Sequence, residues 1–248
     1  MPELPEAEVA ARQLRERVVG ATVRDCWIGR EDIVREGLPS LEQYRQAKIT
    51  GVERKGKSVI LHFLCGKEPR FLVAELGMTG LLLFRSTLTK HPQHTHFILH
   101  LDGCCEPDIR YWNPRRFGRL SLLDRAGLDR YVARRFGHDP LTISHEKFLR
   151  VLRATRSRLK SLLMRQQVIA GIGNIYANEI LFRSRLHPNQ PSNSIPGKSI
   201  TRLHQVMGEV LREAIAMGGS SVRDYFAPDG TEGQYKRRHL VYAKAGEP

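Results

Sequence analysis

The sequence predicts an α+β protein in which an N-terminal helix and an antiparallel β-sandwich precede a mostly helical domain. Between residues 21 and 125, short apolar runs are separated by glycine and proline, a pattern typical of antiparallel strands. Beyond residue 141, apolar residues recur at helical spacing. The length of 248 residues suits two domains of about 100–150 residues each. We therefore predict a β-domain over residues 1–135, a linker over 136–140 and a helical domain over 141–248.

The first predicted helix and the strands follow from local patterns. Pro5 suits the first turn of a helix, and an apolar stripe follows it, formed by Ala7, Ala10, Leu14 and Val18. A hairpin is predicted from residues 58–64 and 70–76, because the five residues between them contain glycine and proline. Residues 96–101 and 118–123 continue the strand pattern.

The second domain is predicted to hold three short helices and one long helix. The short helices are expected at 145–152, 157–164 and 175–182, with Ser144 and Ser157 as N-caps of the first two. Gly218-Gly219 ends the long helix. Its stripe consists of Ile200, Leu203, Met207, Val210, Leu211, Ala214 and Met217.

The charge balance points to a polyanionic partner. Forty Lys and Arg against 26 Asp and Glu give a net charge of +14, and a globular chain this basic usually meets nucleic acid. A ribosome-like or merely basic protein is the alternative. Residues 151–165 contain five basic residues and no acid, next to a glycine-rich turn, which favours a phosphate-binding surface. The five are Arg153, Arg156, Arg158, Lys160 and Arg165.

Several protein classes are excluded or disfavoured. No apolar run approaches the ~18 residues of a membrane helix, and residues 1–6 lack the basic and apolar regions of a secretory signal. The cysteines form no CxxC pair, so neither a zinc knuckle nor a disulfide framework is indicated. They are Cys26, Cys65, Cys104 and Cys105. We expect a cytoplasmic protein that acts as a monomer.

The N-terminus offers a nucleophile. If Met1 is removed, Pro2 becomes a secondary α-amine, and α-amines titrate near about 7.7–8.0 rather than the about 10.4 of lysine. A neutral amine can attack an electrophilic carbon and leave an imine. Glu3 and Glu6 lie beside it and are suited to proton transfer. An ordinary helix start, with acids that favour the helix dipole, is the alternative interpretation.

Residues 1–8 resemble the N-terminus of the formamidopyrimidine-DNA glycosylase and endonuclease VIII family. Three further segments resemble that family in the same order: the lysine-bearing turn at 54–57, an intercalation loop at 113–118 and a helix-two-turn-helix hairpin at 167–179. The resemblance implies a bifunctional glycosylase and abasic-site lyase that excises oxidised purines from double-stranded bacterial DNA and then performs β,δ-elimination, without a cofactor. It makes Pro2, Glu3, Glu6 and Lys57 the catalytic residues.

The resemblance also implies a DNA interface. The DNA-binding candidates are His94, Arg115, Lys160, Asn174 and Tyr176, and backbone N–H groups of the turn at 171–174 could face a phosphate. A void-filling set replaces the extruded base; it consists of Met78, Arg115 and Phe117. A lesion-capping loop favours the oxidised-purine branch, and its predicted residues are Gly219, Ser220, Ser221, Val222, Arg223 and Tyr225. Glu75 stands where the family has histidine, with an effect that the sequence alone does not indicate.

Three alternatives remain open at this point. The chain could prefer oxidised pyrimidines, as endonuclease VIII does, or it could bind damaged DNA without catalysis. A helix-turn-helix transcription factor would need base-reading side chains, which residues 175–180 offer poorly. Bacterial members of the family usually continue into a four-cysteine zinc finger, and such a zinc site would need residues beyond 248. We expect residues 232–244 to form the strand that leads into it.

Overall fold

The computed structural model describes residues 2–87, 92–222 and 225–244. Helix α1 spans Leu4–Val18. The predicted apolar stripe of this helix is fully buried or nearly so, as expected for an amphipathic helix packed on a sheet. The backbone N–H of Glu3 donates to Glu6 Oε2 (2.7 Å), so a side chain of the first turn satisfies an N–H group at the start of the helix.

Nine strands follow among the residues that the structure describes, and they form one sheet folded into two halves. The order across the sheet is β2-β9-β5-β4-β3-β1-β7-β8-β6, antiparallel except for the β2–β9 pair. Strands β3 and β1 meet at the register pair Thr22–Lys48, so the sheet bends there and a shared core fills the space between its halves. The strands are β1 Thr22–Ile28, β2 Val34–Glu36, β3 Lys48–Lys55, β4 Ser58–Cys65, β5 Glu68–Glu75, β6 Leu81–Phe84, β7 Thr95–Asp102, β8 Asp108–Trp112 and β9 Leu120–Leu123.

The predicted sandwich and its hairpin are confirmed. Strands β4 and β5 pair from Ser58–Glu75 to Cys65–Glu68, which leaves a two-residue turn. Gly66 takes a positive φ of 63° in that turn, a conformation that glycine adopts without steric cost. The core between the halves contains the buried face of α1 together with inward-facing residues of both halves.

Five further α-helices follow within the described ranges. They are α2 Arg125–Arg135, α3 His145–Arg153, α4 Leu159–Leu163, α5 Asn174–Ser184 and α6 Gly197–Ala216. Ser144 caps α3 as predicted, since its hydroxyl accepts the N–H of Lys147. Helix α6 ends before Gly218 and Gly219, which both have positive φ. No helix in the described part of the chain is long and apolar enough to cross a membrane.

Two local predictions are wrong. Ser157 does not cap α4, because Arg158 occupies the N-cap position and the carbonyl of Ser157 instead accepts the N–H of Ser192 (2.9 Å). Residues 232–244 do not form a strand: a single bridge joins Ser220 to Gln234, and a 3₁₀ helix spans Tyr235–Arg238. Tyr235 is buried in the core of the helical domain, which favours this compact path.

The start of α1 joins the two domains. Leu4 belongs to the core of the helical domain, although the stripe that follows it belongs to the sandwich core. Its N–H donates to the carbonyl of Gly171 (3.0 Å). Arg54 adds a second connection, because its guanidinium donates to Glu8 (2.8 Å) and to Asp139 (2.6 Å). The N-terminus is therefore held between the domains.

Candidate active site

Glu3 is the central side chain of this junction. It is fully buried, and its carboxylate accepts the backbone N–H groups of Gly173 (2.7 Å), Ile175 (2.9 Å) and Tyr176 (3.4 Å). These groups lie at the N-terminus of α5, where unpaired N–H groups and the helix dipole favour a negative charge. The glycine-rich turn thus holds Glu3 in place, and Pro2, also buried, precedes it.

Lys57 Nζ and the Glu3 carboxyl lie close to the same side of Gly173. A side chain at Gly173 would collide with both the Glu3 carboxyl and Lys57 Nζ, so glycine is required where these two groups approach each other. Burial raises the pKa of Glu3 to about 7, against the opposing effect of the Lys57 charge. Burial also lowers the pKa of Lys57, and the charge of Glu3 opposes that shift.

Glu6 is the second buried carboxyl. Its Oε1 accepts the Tyr176 hydroxyl (2.6 Å) and the N–H of Ser220 (2.7 Å). Burial raises its pKa, and these hydrogen bonds partly offset the effect. Two carboxyls whose burial favours the protonated form therefore flank Pro2, and a pKa near 7 lets Glu3 exchange a proton at neutral pH.

This arrangement corrects two predictions about the hairpin. Within the turn at 171–174, the N–H of Gly173 binds Glu3 and that of Gly171 binds Gln166, so these two groups do not face a phosphate as predicted. The Tyr176 side chain is fully buried and donates to Glu6, which contradicts its predicted contact with DNA. Asn174 remains half-buried at the start of α5. Gln166, absent from the prediction, supports the turn by bonding Met164, Gly171 and Ile172.

The predicted lesion-capping loop packs against Glu6 over its described residues. Ser220 and Ser221 are nearly buried, and Val222 contacts the core of the helical domain. Tyr225 packs with Trp112 and with β6, and its hydroxyl donates to the Glu6 carbonyl (3.3 Å). A side chain at Gly219, which has φ +83°, would crowd Glu6 Oε1. Arg223 lies outside the described residues.

The void-filling candidates converge at one edge of the sandwich. The Thr79 hydroxyl donates to Asn113 (3.1 Å) and accepts the N–H of Arg115 (3.3 Å), which ties the two segments together. Phe117 is 55% exposed and Met78 is 38% exposed, so neither is a core residue. The Arg115 guanidinium lies 4.8 Å from the centroid of the Phe117 ring, in cation–π geometry.

The basic candidates have different environments. Lys160 is half-buried on α4. Arg153 is exposed, and its guanidinium donates to the carbonyls of Asn193 and Ile195, which uses two of its five N–H donors. His94 packs edge-on against Trp112, with ring centroids 6.3 Å apart, and lines a surface concavity of about 420 Å³ that also contains Arg116.

Glu75 has a structural explanation that the sequence did not supply. Its carboxylate accepts the Tyr131 hydroxyl (2.7 Å) and forms ion pairs with Arg35 (3.4 Å) and Arg135 (3.3 Å). Glu75, Tyr131 and Arg135, together with Lys57, border a cleft of about 240 Å³ between the sandwich and the hairpin. Glu75 thereby holds Arg135 at the edge of this cleft, where a basic side chain suits a polyanion.

The cysteines do not form a metal site. All four have free thiols, and the described residues contain no group of three or more His, Cys, Asp or Glu side chains that could hold a metal ion.

The fold and this junction are those of a two-domain DNA glycosylase with a helix-two-turn-helix hairpin. Residues 1–120 match the formamidopyrimidine-DNA glycosylase N-terminal domain, and residues 136–225 match the formamidopyrimidine-DNA glycosylase H2TH domain. The chain belongs to the formamidopyrimidine-DNA glycosylase family.

Relatives and solved structures agree with this assignment. The formamidopyrimidine-DNA glycosylase of Thermus thermophilus is 38% identical, with 100% of this chain and 89% of the relative covered; that of Solibacter usitatus is 37% identical, with 100% and 90% covered. The crystal structure of the Thermus thermophilus MutM (Fpg) protein superposes with a TM-score of 0.86 at 37% identity, covering 100% of this chain and 89% of that one. Lactococcus lactis Fpg in complex with N7-benzyl-Fapy-dG DNA gives 0.86 at 29% identity, covering 99% and 90%.

Proposed function

We propose that this chain excises oxidised purines, such as 8-oxoguanine and formamidopyrimidines, from double-stranded DNA and cleaves the resulting abasic site. The observation that carries the proposal is the junction at Pro2, where Glu3 and Glu6 are buried with raised pKa values and Lys57 approaches Glu3 beside Gly173. We further propose that the protein works as a monomer on bacterial DNA in the cytoplasm.

The first chemical steps use Pro2 as the nucleophile, once Met1 has been removed. The Pro2 nitrogen forms a bond to C1′ of the deoxyribose while the glycosidic bond breaks; the base leaves with that electron pair and takes up one proton, which balances the N–H proton that Pro2 loses. Glu3, with a pKa of about 7, is protonated in a large fraction of molecules at neutral pH and can donate to O4′ as the sugar ring opens. The product is an iminium that joins Pro2 to C1′.

The iminium makes the C2′ proton acidic. Its removal breaks the C3′–O bond, and loss of a second proton breaks the C5′–O bond, so that the strand is cleaved on both sides of the sugar. Glu6 is held by Tyr176 and Ser220 and keeps the start of α1 in place through the Glu3 N–H. Lys57 is the candidate contact for the phosphates that flank the lesion.

Borohydride trapping on a duplex with one 8-oxoguanine opposite cytosine tests this mechanism. Wild-type protein should form a covalent adduct, whereas Pro2→Gly, or a preparation that retains Met1, should bind the duplex without forming one. The Met1 status of each preparation is verified by mass spectrometry. Strand cleavage at the wild-type rate by a Met1-retaining preparation would contradict the proposal.

The same assay separates the two alternatives. A duplex that carries an oxidised pyrimidine measures the endonuclease VIII preference, and the proposal expects slower excision from it than from the 8-oxoguanine duplex. Tight binding of both duplexes by wild-type protein, with no adduct on either, would indicate a non-catalytic binder of damaged DNA.

A further inference from the structure

A buried polar network extends from Glu6 to a side chain that no sequence motif identified. The Ser220 N–H donates to Glu6 Oε1 (2.7 Å), and Ser220 Oγ lies 2.9 Å from His239 Nε2 and 3.4 Å from the Tyr176 hydroxyl. None of these four residues is more than 7% exposed. Glu6 and His239 are thus connected through one serine, although they lie at opposite ends of the chain.

His239 has its own anchor, independent of Ser220. Its ring packs against Tyr235 and Tyr242, with centroid distances of 5.7 and 5.5 Å. The fully buried carboxylate of Glu179 on α5 accepts the N–H groups of the three residues that follow His239, at 2.9, 3.1 and 2.9 Å. His239 is therefore a fixed point to which Ser220 attaches.

Ser220, in contrast, lies in a segment whose backbone alone does not fix its position. It follows Gly218 and Gly219, whose φ values of +76° and +83° lie in a region that other residues rarely adopt. A segment with two such glycines has many backbone conformations available, and only some of them aim the Ser220 N–H at Glu6. Burial lowers the pKa of His239, so its ring is mostly neutral at pH 7 and Nε2 can accept the Ser220 hydroxyl.

We propose, on the basis of the glycosylase function above, that His239 is a positioning residue for Glu6. It orients Ser220, Ser220 holds Glu6 Oε1, and Glu6 holds the Glu3 N–H beside Pro2. The docking of residues 235–242 on α5 is thereby coupled to the geometry of the nucleophile. A role in packing alone would make the His239 ring replaceable by any ring of similar size.

Two substitutions separate these roles. His239→Phe keeps a ring between the two tyrosines but removes the bond to Ser220, whereas His239→Gln keeps a polar group within reach of it. We expect His239→Phe to lower the single-turnover excision rate about tenfold, with the Kd for a duplex containing a tetrahydrofuran abasic analogue unchanged within about twofold. His239→Gln should recover most of the rate.

Ser220→Ala and a matched control complete the test. Ser220→Ala keeps the N–H to Glu6 but removes Oγ, and it should lose as much rate as His239→Phe, with no further loss in the double variant. His204→Phe is the control, because this half-buried histidine bonds the Ile143 carbonyl and packs on Phe148 without contacting Glu6; it should change Tm but not the excision rate.

The outcomes distinguish this inference from the proposed function. An inactive wild-type protein would contradict the glycosylase function itself. With an active wild type, a His239→Phe rate equal to wild type would show that positioning is wrong. The same conclusion would follow if His239→Phe and His239→Gln lost rate only in proportion to their Tm, or if the losses of His239→Phe and Ser220→Ala multiplied in the double variant.

Discussion

The junction around Glu3 and the loop edge around Phe117 differ in how firmly the protein holds their side chains. At the junction, the carboxyl groups are buried and bonded to three or more N–H or O–H donors before DNA arrives. At the loop edge, Phe117 and Met78 are substantially exposed, and only the backbone beneath them is fixed by Asn113 and Thr79. The comparison indicates that the groups at the junction are preorganised, whereas the candidate void-filling side chains would gain their packing only in a complex with DNA.

The largest expected effect on the excision rate comes from adding one methyl group at the junction. Gly173→Ala places a carbon where the Glu3 carboxyl and Lys57 Nζ already lie. We expect excision to fall on the order of 100-fold, because a displacement of about 1 Å has that cost in a preorganised site. Single-turnover kinetics on the 8-oxoguanine duplex measure it.

Gly197→Ala is the matched control. Gly197 also lies at a helix start, but nothing occupies the space within 4 Å of its added carbon. Its excision rate should equal that of wild type. Equal rates for Gly173→Ala and Gly197→Ala would show that the close approach at Gly173 does not matter for catalysis.

The second prediction tests the loop edge. Phe117→Ala should slow excision from duplex DNA, since a stacked base–aromatic contact is worth about 1–3 kcal/mol. It should leave the free energy of unfolding within about 0.5 kcal/mol of wild type, because the ring is exposed. Denaturant unfolding and single-turnover excision are measured on the same preparation.

Phe148→Ala supplies the contrast, because Phe148 is fully buried in the helical core. It should cost about 3–5 kcal/mol of stability, as core phenylalanines do. If Phe117→Ala destabilised the protein as much as Phe148→Ala, the void-filling role of Phe117 would be rejected.

The third prediction uses the protonation of the junction. Burial raises the Glu3 pKa from 4.5 to about 7, so the folded state binds a proton more tightly than the unfolded state does. The stability associated with this proton is fully present below pH 4.5 and is lost as the pH rises through about 7. The shift corresponds to about 3 kcal/mol. Glu6 acts in the same direction, because its pKa is also raised by burial.

Glu3→Gln should therefore flatten the decrease in unfolding free energy between pH 5 and pH 8. Urea denaturation of both proteins at the two pH values provides the comparison. If the unfolding free energy of the wild type, relative to that of Glu3→Gln, rose between pH 5 and pH 8, this result would contradict the raised pKa of Glu3.

Local patterns explain which features could be predicted from the sequence. The stripe of α1, the β4–β5 hairpin and the cap at Ser144 depend on neighbouring residues, and all three appear as predicted. Contacts of Glu3 with α5, and of Glu6 with Ser220, join positions 170 to 214 residues apart. No periodicity or spacing encodes such pairs. For the same reason the sequence did not indicate that the Gly173 N–H, within the turn at 171–174, binds the chain's own Glu3 carboxylate rather than a phosphate.

The basic run at 151–165 allows the finest comparison, between two neighbouring arginines. Arg156 is exposed, whereas the Arg153 guanidinium donates to two backbone carbonyls. If Arg156 contacts a DNA phosphate, Arg156→Ala should lower the log–log salt slope of binding by about one and leave stability unchanged. Arg153→Ala should leave the slope unchanged and lower the free energy of unfolding by about 1 kcal/mol, the net value of a typical hydrogen bond.

Fluorescence anisotropy with an abasic-analogue duplex at several salt concentrations measures both slopes. Equal slopes for wild type and Arg156→Ala would place this face of the run outside the DNA interface, and the positive charge at Arg156 would then be a solvated surface charge.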